Sequence, residues 1–479
     1  MATPRAKPLP ASATNLPFLA AARAEQPVDL AAAGYTESEL LVSGVANVYD
    51  WPVAAGMPLQ VRGAEVPYTT RILLRRPADL RKFSGLVVVE LLDAGDLYDR
   101  APLWGLSWQQ FLRHGDAWVG VTVRPAAMAA LRRFDPVRYG PLSFNYRQPA
   151  SCHAAAGDLR ANPPDAEGGL AWDVVAQVGA LLRSASKENP LQDLHPRFLV
   201  AAGYGLAGAE LTTYANALHA ALRLGDAAPV YDGYLAAADA SLQAPINQCA
   251  PPLPADDPRR GALPRDVPFV SVMTESDFNL APALRRADSD APGDVFRLYE
   301  IPGAAHDGPY LAGMPPAADL QIAGIAAAPA QDLCADPPGD FPAGLAFNAI
   351  WEQYAEWLAS GRPLPDVPRI DTLPDGSPRR DEHGNASGGW RLPQLEVPLA
   401  QYAGRSAPRM PGEQASAACA LTGTTHRLDA PKLKSLYRNR TEYLKRLRAA
   451  VDHAVAERLL TSEDGEVLSN PKNEALPAF

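Results

Sequence analysis

The segment FSGLVVVELLD, Phe83 to Asp93, is apolar almost without interruption. A surface strand alternates apolar and polar residues, so a continuous run of β-formers this short belongs to a strand covered on both faces. Similar runs recur: TTRILLRRP before it, then AWVGVTV, RFLVAAG, PVYDGYLAA, PFVSVMT and RLYEIPGAAH. Between them lie stretches of helical spacing, Leu103 to Arg113, AWDVVAQVGALLRS and AELTTYANALHAAL. Covered strands alternating with amphipathic helices predict an α/β chain: a mostly parallel central sheet with helices on both faces.

At 479 residues the chain has room for one large core with additions, or for two to three ordinary domains. Residues 1–45 lack periodicity and read as an N-terminal arm, and residues 46–360 carry the alternating core. Two proline-rich insertions, 134–169 and 241–264, are expected to lie over the sheet as lid-like loops bearing Tyr139, Phe144 and Tyr146. Residues 361–479 show few apolar repeats after the aromatic helix FNAIWEQYAEWLASG, and are expected to wrap on the core as an extension.

A net charge of −10, with basic residues clustered only in the last helices, argues against a nucleic-acid partner. No run reaches the roughly 18 apolar residues of a membrane span. Prolines interrupt the apolar LPFLAAA near the N-terminus, so the expected location is the cytoplasm, with secretion the alternative. Cys152, Cys249, Cys334 and Cys419 lack CxxC spacing and are expected to be buried free thiols, a Cys334–Cys419 bridge being the alternative. Phosphate-loop, dinucleotide and metal motifs are absent from the sequence, so the chemistry is expected to need no cofactor or metal, and homo-oligomerisation stays open.

The stretch FLVAAGYGLAG, Phe198 to Gly208, has the shape of a nucleophile elbow: a strand, a turn flanked by the small residues Gly203 and Ala207, then a helix. At its tip stands Gly205, without a hydroxyl. The acid and the base of a hydrolase triad follow the nucleophile in that order. TESD places Glu275 and Asp277 at the end of a strand, and GAAHDG places His306 one βα unit later. No other side chain replaces the serine: Thr212 and Thr213 lie two turns down the helix, and Ser241 and Cys249 belong to the second insertion.

From about residue 40 to 468 the chain resembles the bacterial α/β-hydrolase domain-containing proteins, a family of esterase-like enzymes. The resemblance runs through VVVELLD with APLW, GDAWVGVTV, FDPVRYGPLS, the elbow with TTYANALH, VYDGYL, PINQCAPPLP, TESD, RRADSD, RLYEIPGAAH, DEHGNASGGWRLP and CALTGTT. It implies the α/β-hydrolase fold, with the catalytic serine falling on Gly205, the acid on Asp277 or Glu275, and the base on His306. An oxyanion hole would come from the N–H groups of Leu206 and of Leu92 or a neighbour, and Tyr204, Asp93 and Tyr146 would contact a small-molecule substrate. The family's turn reads like GYSQSG, so Leu206 and Ala207 depart from it as well as Gly205.

Without a nucleophile, a histidine, its carboxylate and two N–H donors can still move a proton and hold an oxyanion. The expected function is therefore non-hydrolytic or water-mediated chemistry, such as isomerisation, cyclisation or elimination, on a medium-sized apolar carbonyl or ester compound. The alternatives are an ester hydrolase whose serine has been exchanged for glycine, and a ligand-binding protein that keeps only the pocket.

Overall fold

The computed structural model describes residues 3–12, 15–52, 57–149, 152, 162–239, 242–254, 256–282, 285–326 and 333–470. The chain divides into two compact units. The first holds Met1–Ser271, Ser289–Phe296 and Tyr310–Ala327, and the second Val272–Asp288, Arg297–Pro309 and Ala328–Phe479.

The strands are β1 (Arg5–Leu9), β2 (Tyr35–Asp50), β3 (Gln60–Pro77), β4 (Leu86–Leu91), β5 (Ala117–Val121), β6 (Phe198–Tyr204), β7 (Gly233–Ala237), β8 (Phe269–Thr274), β9 (Ser289–Ala291) and β10 (Asp294–Ile301). They form one sheet in the order β1-β2-β3-β5-β4-β6-β7-β8-β10-β9. Strands β5, β4, β6 and β7 run parallel, and β1, β2 and β3 join them antiparallel through the β3–β5 pair. Every residue of β4, β5 and β7 is buried, as their continuous apolar runs require. Between the strands lie α1 (Pro102–His114), α2 (Pro125–Phe134), α3 (Pro136–Tyr139), α4 (Ala171–Arg183) and α5 (Leu206–Ala217). Helix α1 packs on β5 and β6, and α5 on β6 and β7.

The first 45 residues are no arm. They supply β1 and much of β2, and residues 18–21 are strapped to the sheet by buried guanidinium groups. Arg71 donates to the Phe18 carbonyl at 3.0 Å and pairs with Glu39 and Asp99. Arg75 donates to the Leu19 carbonyl at 2.7 Å while lying over the Trp104 and Trp118 rings. These ties join residues some fifty positions apart and leave no local period in the strap, so hydrophobic patterning passes over it.

The first insertion also differs from expectation. Tyr139 and Phe144 are core residues: the Tyr139 hydroxyl meets Glu39 and the Phe18 N–H, and Phe144 packs edge-on against Tyr68. The four cysteines are paired, Cys152 with Cys249 and Cys334 with Cys419, with Cα atoms 4.9 and 5.5 Å apart. This corrects the expectation of four free thiols and agrees with the alternative for Cys334–Cys419; separations of 97 and 85 residues carry no spacing signal from which either pairing could be read.

The second unit has its own core. Helix α6 (Ala317–Ile322) belongs to the first unit, whereas α7 (Gly344–Ser360) buries Phe347, Trp351 and Tyr354 in the second. Trp390 meets Tyr299 edge-on at 4.7 Å and donates its indole N–H to the Leu459 carbonyl. The helix Arg440–Ala456 buries Tyr443, Leu447, Val451 and Ala454, one stripe at helical spacing. The division does not fall at residue 360, because Val272–Asp288 and Arg297–Pro309 are tied into this unit: Glu300 accepts from Arg285 and from the Ile370 N–H.

Candidate active site

Parallel pairing sets Leu91 of β4 opposite Gly203 of β6. Two residues further on, Asp93 and Gly205 therefore stand side by side at the carboxyl ends of adjacent strands. Strand β4 leads through α1 to β5 on one side, and β6 leads through α5 to β7 on the other. The strand order reverses between them, and such a switch point is where open α/β sheets place ligands.

Gly205 caps α5 with φ +58° and ψ −123°, a conformation that L side chains avoid. The turn is tight: a Cβ on Gly203 would lie 2.3 Å from the Ala207 carbonyl oxygen. Small flanking residues are thus a steric condition of the bend. Strand, tight turn and helix have the form of a nucleophile elbow, with a glycine at its tip.

The donors expected of an oxyanion hole are already engaged. The Leu206 N–H donates to Asp93 Oδ1 at 3.0 Å, with the Ala207 N–H at 3.4 Å from the same oxygen. The Leu92 N–H completes the sheet by donating to the Val121 carbonyl at 2.9 Å. Asp93 is fully buried, and its Oδ2 accepts from Arg100 Nε at 3.0 Å and from Nη2. Leu206 and Leu92 thus do not present open N–H groups, and Asp93 is a resident anion at the start of α5. Local sequence marks the N–H groups at the turn, but the carboxylate set against them comes from the β4–β6 register, which no local pattern encodes.

A second charged pair was also missed. Arg124, just past β5, donates to Glu210 of α5 at 3.0 Å, and burial pushes the Glu210 carboxyl up. Arg124 lies shortly after the end of β5, a position legible in the sequence. Tyr204 is buried with its ring 5.7 Å from Tyr310. Tyr146 is half-buried against Gly63 of β3, where a Cβ would lie 2.7 Å from its hydroxyl. Thr212 bonds Asp239 and Thr213 bonds the Ala244 carbonyl, so neither hydroxyl stands in for the serine.

The acid and the histidine belong to the second unit. His306 Nδ1 lies 3.0 Å from Asp277 Oδ1, and Asp277 Oδ2 accepts from the Thr274 hydroxyl. The His306 N–H donates to Ser276 Oγ at 3.0 Å, and that hydroxyl donates to the Gly404 carbonyl. Asp277 is fully buried and His306 is 7% exposed, so both backbone and ring are held. A carboxylate on Nδ1 selects the tautomer with its proton on Nδ1 and the lone pair on Nε2. Glu275, the other candidate acid, is committed elsewhere: it accepts from the Gly303 and Gly404 N–H groups and pairs with Arg380 at 2.6 Å. It ties loops together, and Asp277 alone of the two meets the ring.

The sequence pattern of the alpha/beta hydrolase domain family matches residues 5–470. The chain belongs to that family. Solved structures similar to this alpha/beta hydrolase include a putative dienelactone hydrolase from Klebsiella pneumoniae subsp. pneumoniae MGH 78578, at 12% identity over 67% of this chain and 99% of the other, with a TM-score of 0.29. A fungal esterase from Rhizomucor miehei is 11% identical over 59% of this chain and 81% of its own, with a TM-score of 0.29. A putative esterase from Staphylococcus aureus is 12% identical over 58% and 83%, also at 0.29. No curated protein matches the chain. Among the described residues, no helix of this alpha/beta hydrolase is long and apolar enough to cross a membrane.

Proposed function

We propose that this alpha/beta hydrolase is an enzyme of proton-transfer chemistry that forms no acyl-enzyme. The observation that carries the proposal is the Asp277–His306 pair, a buried carboxylate 3.0 Å from Nδ1 of a ring whose backbone is separately anchored. That arrangement supports a general base or acid acting through Nε2. Gly205 offers nothing to acylate, and the Asp93 carboxylate on the Leu206 and Ala207 N–H groups opposes a second negative oxygen there. Isomerisation, elimination or cyclisation of a carbonyl or ester compound, or slow attack by water, fits these restraints better than serine ester hydrolysis. No cofactor or metal enters this reading, and the partner is a small-molecule substrate. Two disulfides favour residence in an oxidising compartment over the cytoplasm.

The test is a carbonyl and ester panel followed by NMR in D2O, which reads proton exchange beside the carbonyl as well as bond changes. His306→Ala should slow the reaction by about 10²–10⁴-fold, the range of general acid–base catalysis. The Gly205→Ser variant should gain no burst with p-nitrophenyl acetate. A wild-type burst with that ester, or turnover indifferent to His306, overturns the proposal.

A further inference from the structure

Beyond β10 the chain turns at Gly303, φ +79°, into the loop that carries His306. Two successive backbone groups of that loop are held from outside it. The His306 N–H donates to Ser276 Oγ at 3.0 Å, and the Asp307 N–H donates to the Leu421 carbonyl at 2.9 Å. Ser276 in turn donates its hydroxyl to the Gly404 carbonyl. Both holds therefore end in the C-terminal part of the second unit, and what fixes Gly404 and Leu421 also fixes the histidine.

Gly404 and Leu421 stand on the two limbs of one hairpin. Ala400–Ala403 pairs antiparallel with Thr424–Arg427, Ala403 opposite Thr424, and the limbs part beyond that pair. The first limb meets the acid's loop so closely that a side chain would force them apart: a Cβ on Gly404 would lie 2.5 Å from the Ser276 nitrogen and 2.7 Å from the Glu275 carbonyl carbon. The Gly404 N–H donates to Glu275 at 3.1 Å, and Arg405 donates to the Ser276 carbonyl at 3.2 Å. The second limb is the helix Glu413–Thr422, from whose end Leu421 reaches Asp307.

Packing places that helix only weakly. Of its 10 residues Cys419 and Thr422 are the buried ones, and a helix this short owes its stability in water to tertiary contact. Cys419 supplies the contact covalently, through its bond to Cys334, both residues being fully buried. The Cys419 carbonyl also accepts from the Ser406 N–H at 2.8 Å, which joins the two limbs. Cys334 is laced to the first limb in its turn: the Ala335 N–H donates to the Ala407 carbonyl and the Arg409 N–H to the Leu333 carbonyl, each at 2.8 Å, and Arg409 Nε to the Cys334 carbonyl at 3.2 Å. The disulfide thus closes a frame with one limb on His306 through Ser276 and the other on Asp307 directly.

We propose that the Cys334–Cys419 disulfide is the clamp that positions His306 against Asp277, so that the pair assembles only in the oxidised chain. This rests on the reading of that pair as the reacting acid–base group, and adds that its assembly is conditional on a redox event. The bond forms by thiol–disulfide exchange: one cysteine thiolate opens an external disulfide, the second displaces the mixed bond, and the external pair leaves as two thiols carrying the two electrons and two protons that the cysteines lose. Exchange needs access to sulfur, and both sulfurs belong to fully buried residues, so the clamp is set once, during folding, and is kept from reductants afterwards.

The test needs no substrate. The full chain, carrying isotope-labelled histidine, is compared by NMR as wild type, as Cys334→Ser with Cys419→Ser, and as Cys152→Ser with Cys249→Ser, His306→Gln identifying the His306 signals. The last pair controls for stability, because its bridge lies in the first unit and closes 97 residues against 85, so the two restrain the unfolded chain about equally. Sucrose, which favours the compact state, is added to all samples, and far-UV circular dichroism checks that each is folded. The Nδ1–H signal that the bond to Asp277 sets should stand in the wild type and the control, and be lost or averaged with the Nε2–H tautomer when Cys334 and Cys419 are replaced. Amide exchange at His306 and Asp307 should rise about tenfold or more in that variant alone. Ser276→Ala keeps the disulfide and cuts the link from Gly404 to His306, so it should weaken the same Nδ1–H signal, and it decides the matter if the Cys334→Ser, Cys419→Ser chain does not fold. An unaltered Nδ1–H signal in the folded variant or in Ser276→Ala, or an equal loss in the control, overturns the proposal and leaves the proposed reaction standing. Turnover indifferent to His306, with the signal responding as expected, overturns the reaction and leaves the clamp.

Discussion

Replacing Asp93 by Asn tests whether the elbow's N–H groups have a resident anion. The change keeps an oxygen for the Leu206 N–H, 3.0 Å away, but turns the other half of the carboxylate into an amide donor facing Arg100 Nε and Nη2. Asp93 is fully buried and the Arg100 side chain is 8% exposed, so solvent screens neither. Removing one member of a buried pair costs about 3–5 kcal/mol, because the other charge is left unmatched. Arg100 also pairs with Asp96 at 2.6 Å, but that carboxylate is 56% exposed, and such pairs contribute about 1 kcal/mol at most. The balance is a loss of about 3 kcal/mol, read as a lower urea midpoint at unchanged slope. The double variant Asp93→Asn with Arg100→Gln should recover part of it, with a coupling of about 2 kcal/mol. Asp93→Ala adds a local readout: hydrogen exchange across residues 204–211 should rise, as the Leu206 and Ala207 N–H groups lose their acceptor. A single-variant loss under about 1 kcal/mol, or additive effects in the double variant, would refute the reasoning and return those donors to the role of an oxyanion hole.

Exchanging Cys334 and Cys419 together for Ser opens a loop of 85 residues, worth about 4–5 kcal/mol of chain entropy at 25 °C. Urea titrations with and without reductant check it, and equal midpoints would count against it. Glu90 gives a pH signature. Burial pushes its carboxyl up to about 7, although the Trp118 indole and the Leu103 and Trp104 N–H groups donate to it. An unfolded glutamate titrates near 4.5, so the folded state holds its proton to higher pH, and stability should fall as pH rises between about 4.5 and 7 and level off above. Midpoints measured at pH 5, 6 and 8 should show that slope in the wild type. Glu90→Gln should flatten it while lowering stability throughout, since the amide nitrogen faces N–H donors.

The alternation of covered strands and helices in the sequence determined the α/β architecture, and the motif order singled out Gly205 at a strand–helix turn and the segments that carry Asp277 and His306, which meet at 3.0 Å. Burial on both faces demands continuous apolar runs, and the elbow demands small residues at Gly203 and Ala207; both conditions are local, so both are written locally. What the tertiary structure alone decided was pairing. The Leu91–Gly203 register brings the Asp93 carboxylate onto the Leu206 N–H, and no spacing rule connects residues 113 positions apart. The choice of Asp277 over Glu275 turns on which carboxylate reaches the ring after Gly303, Gly404 and Arg380 have claimed the other. Cysteine pairing and the strap at Phe18 and Leu19 are of the same kind. A period along the chain reports which face of an element is buried; the partner of a polar atom is set by where distant segments meet, and that is known only once the chain is folded.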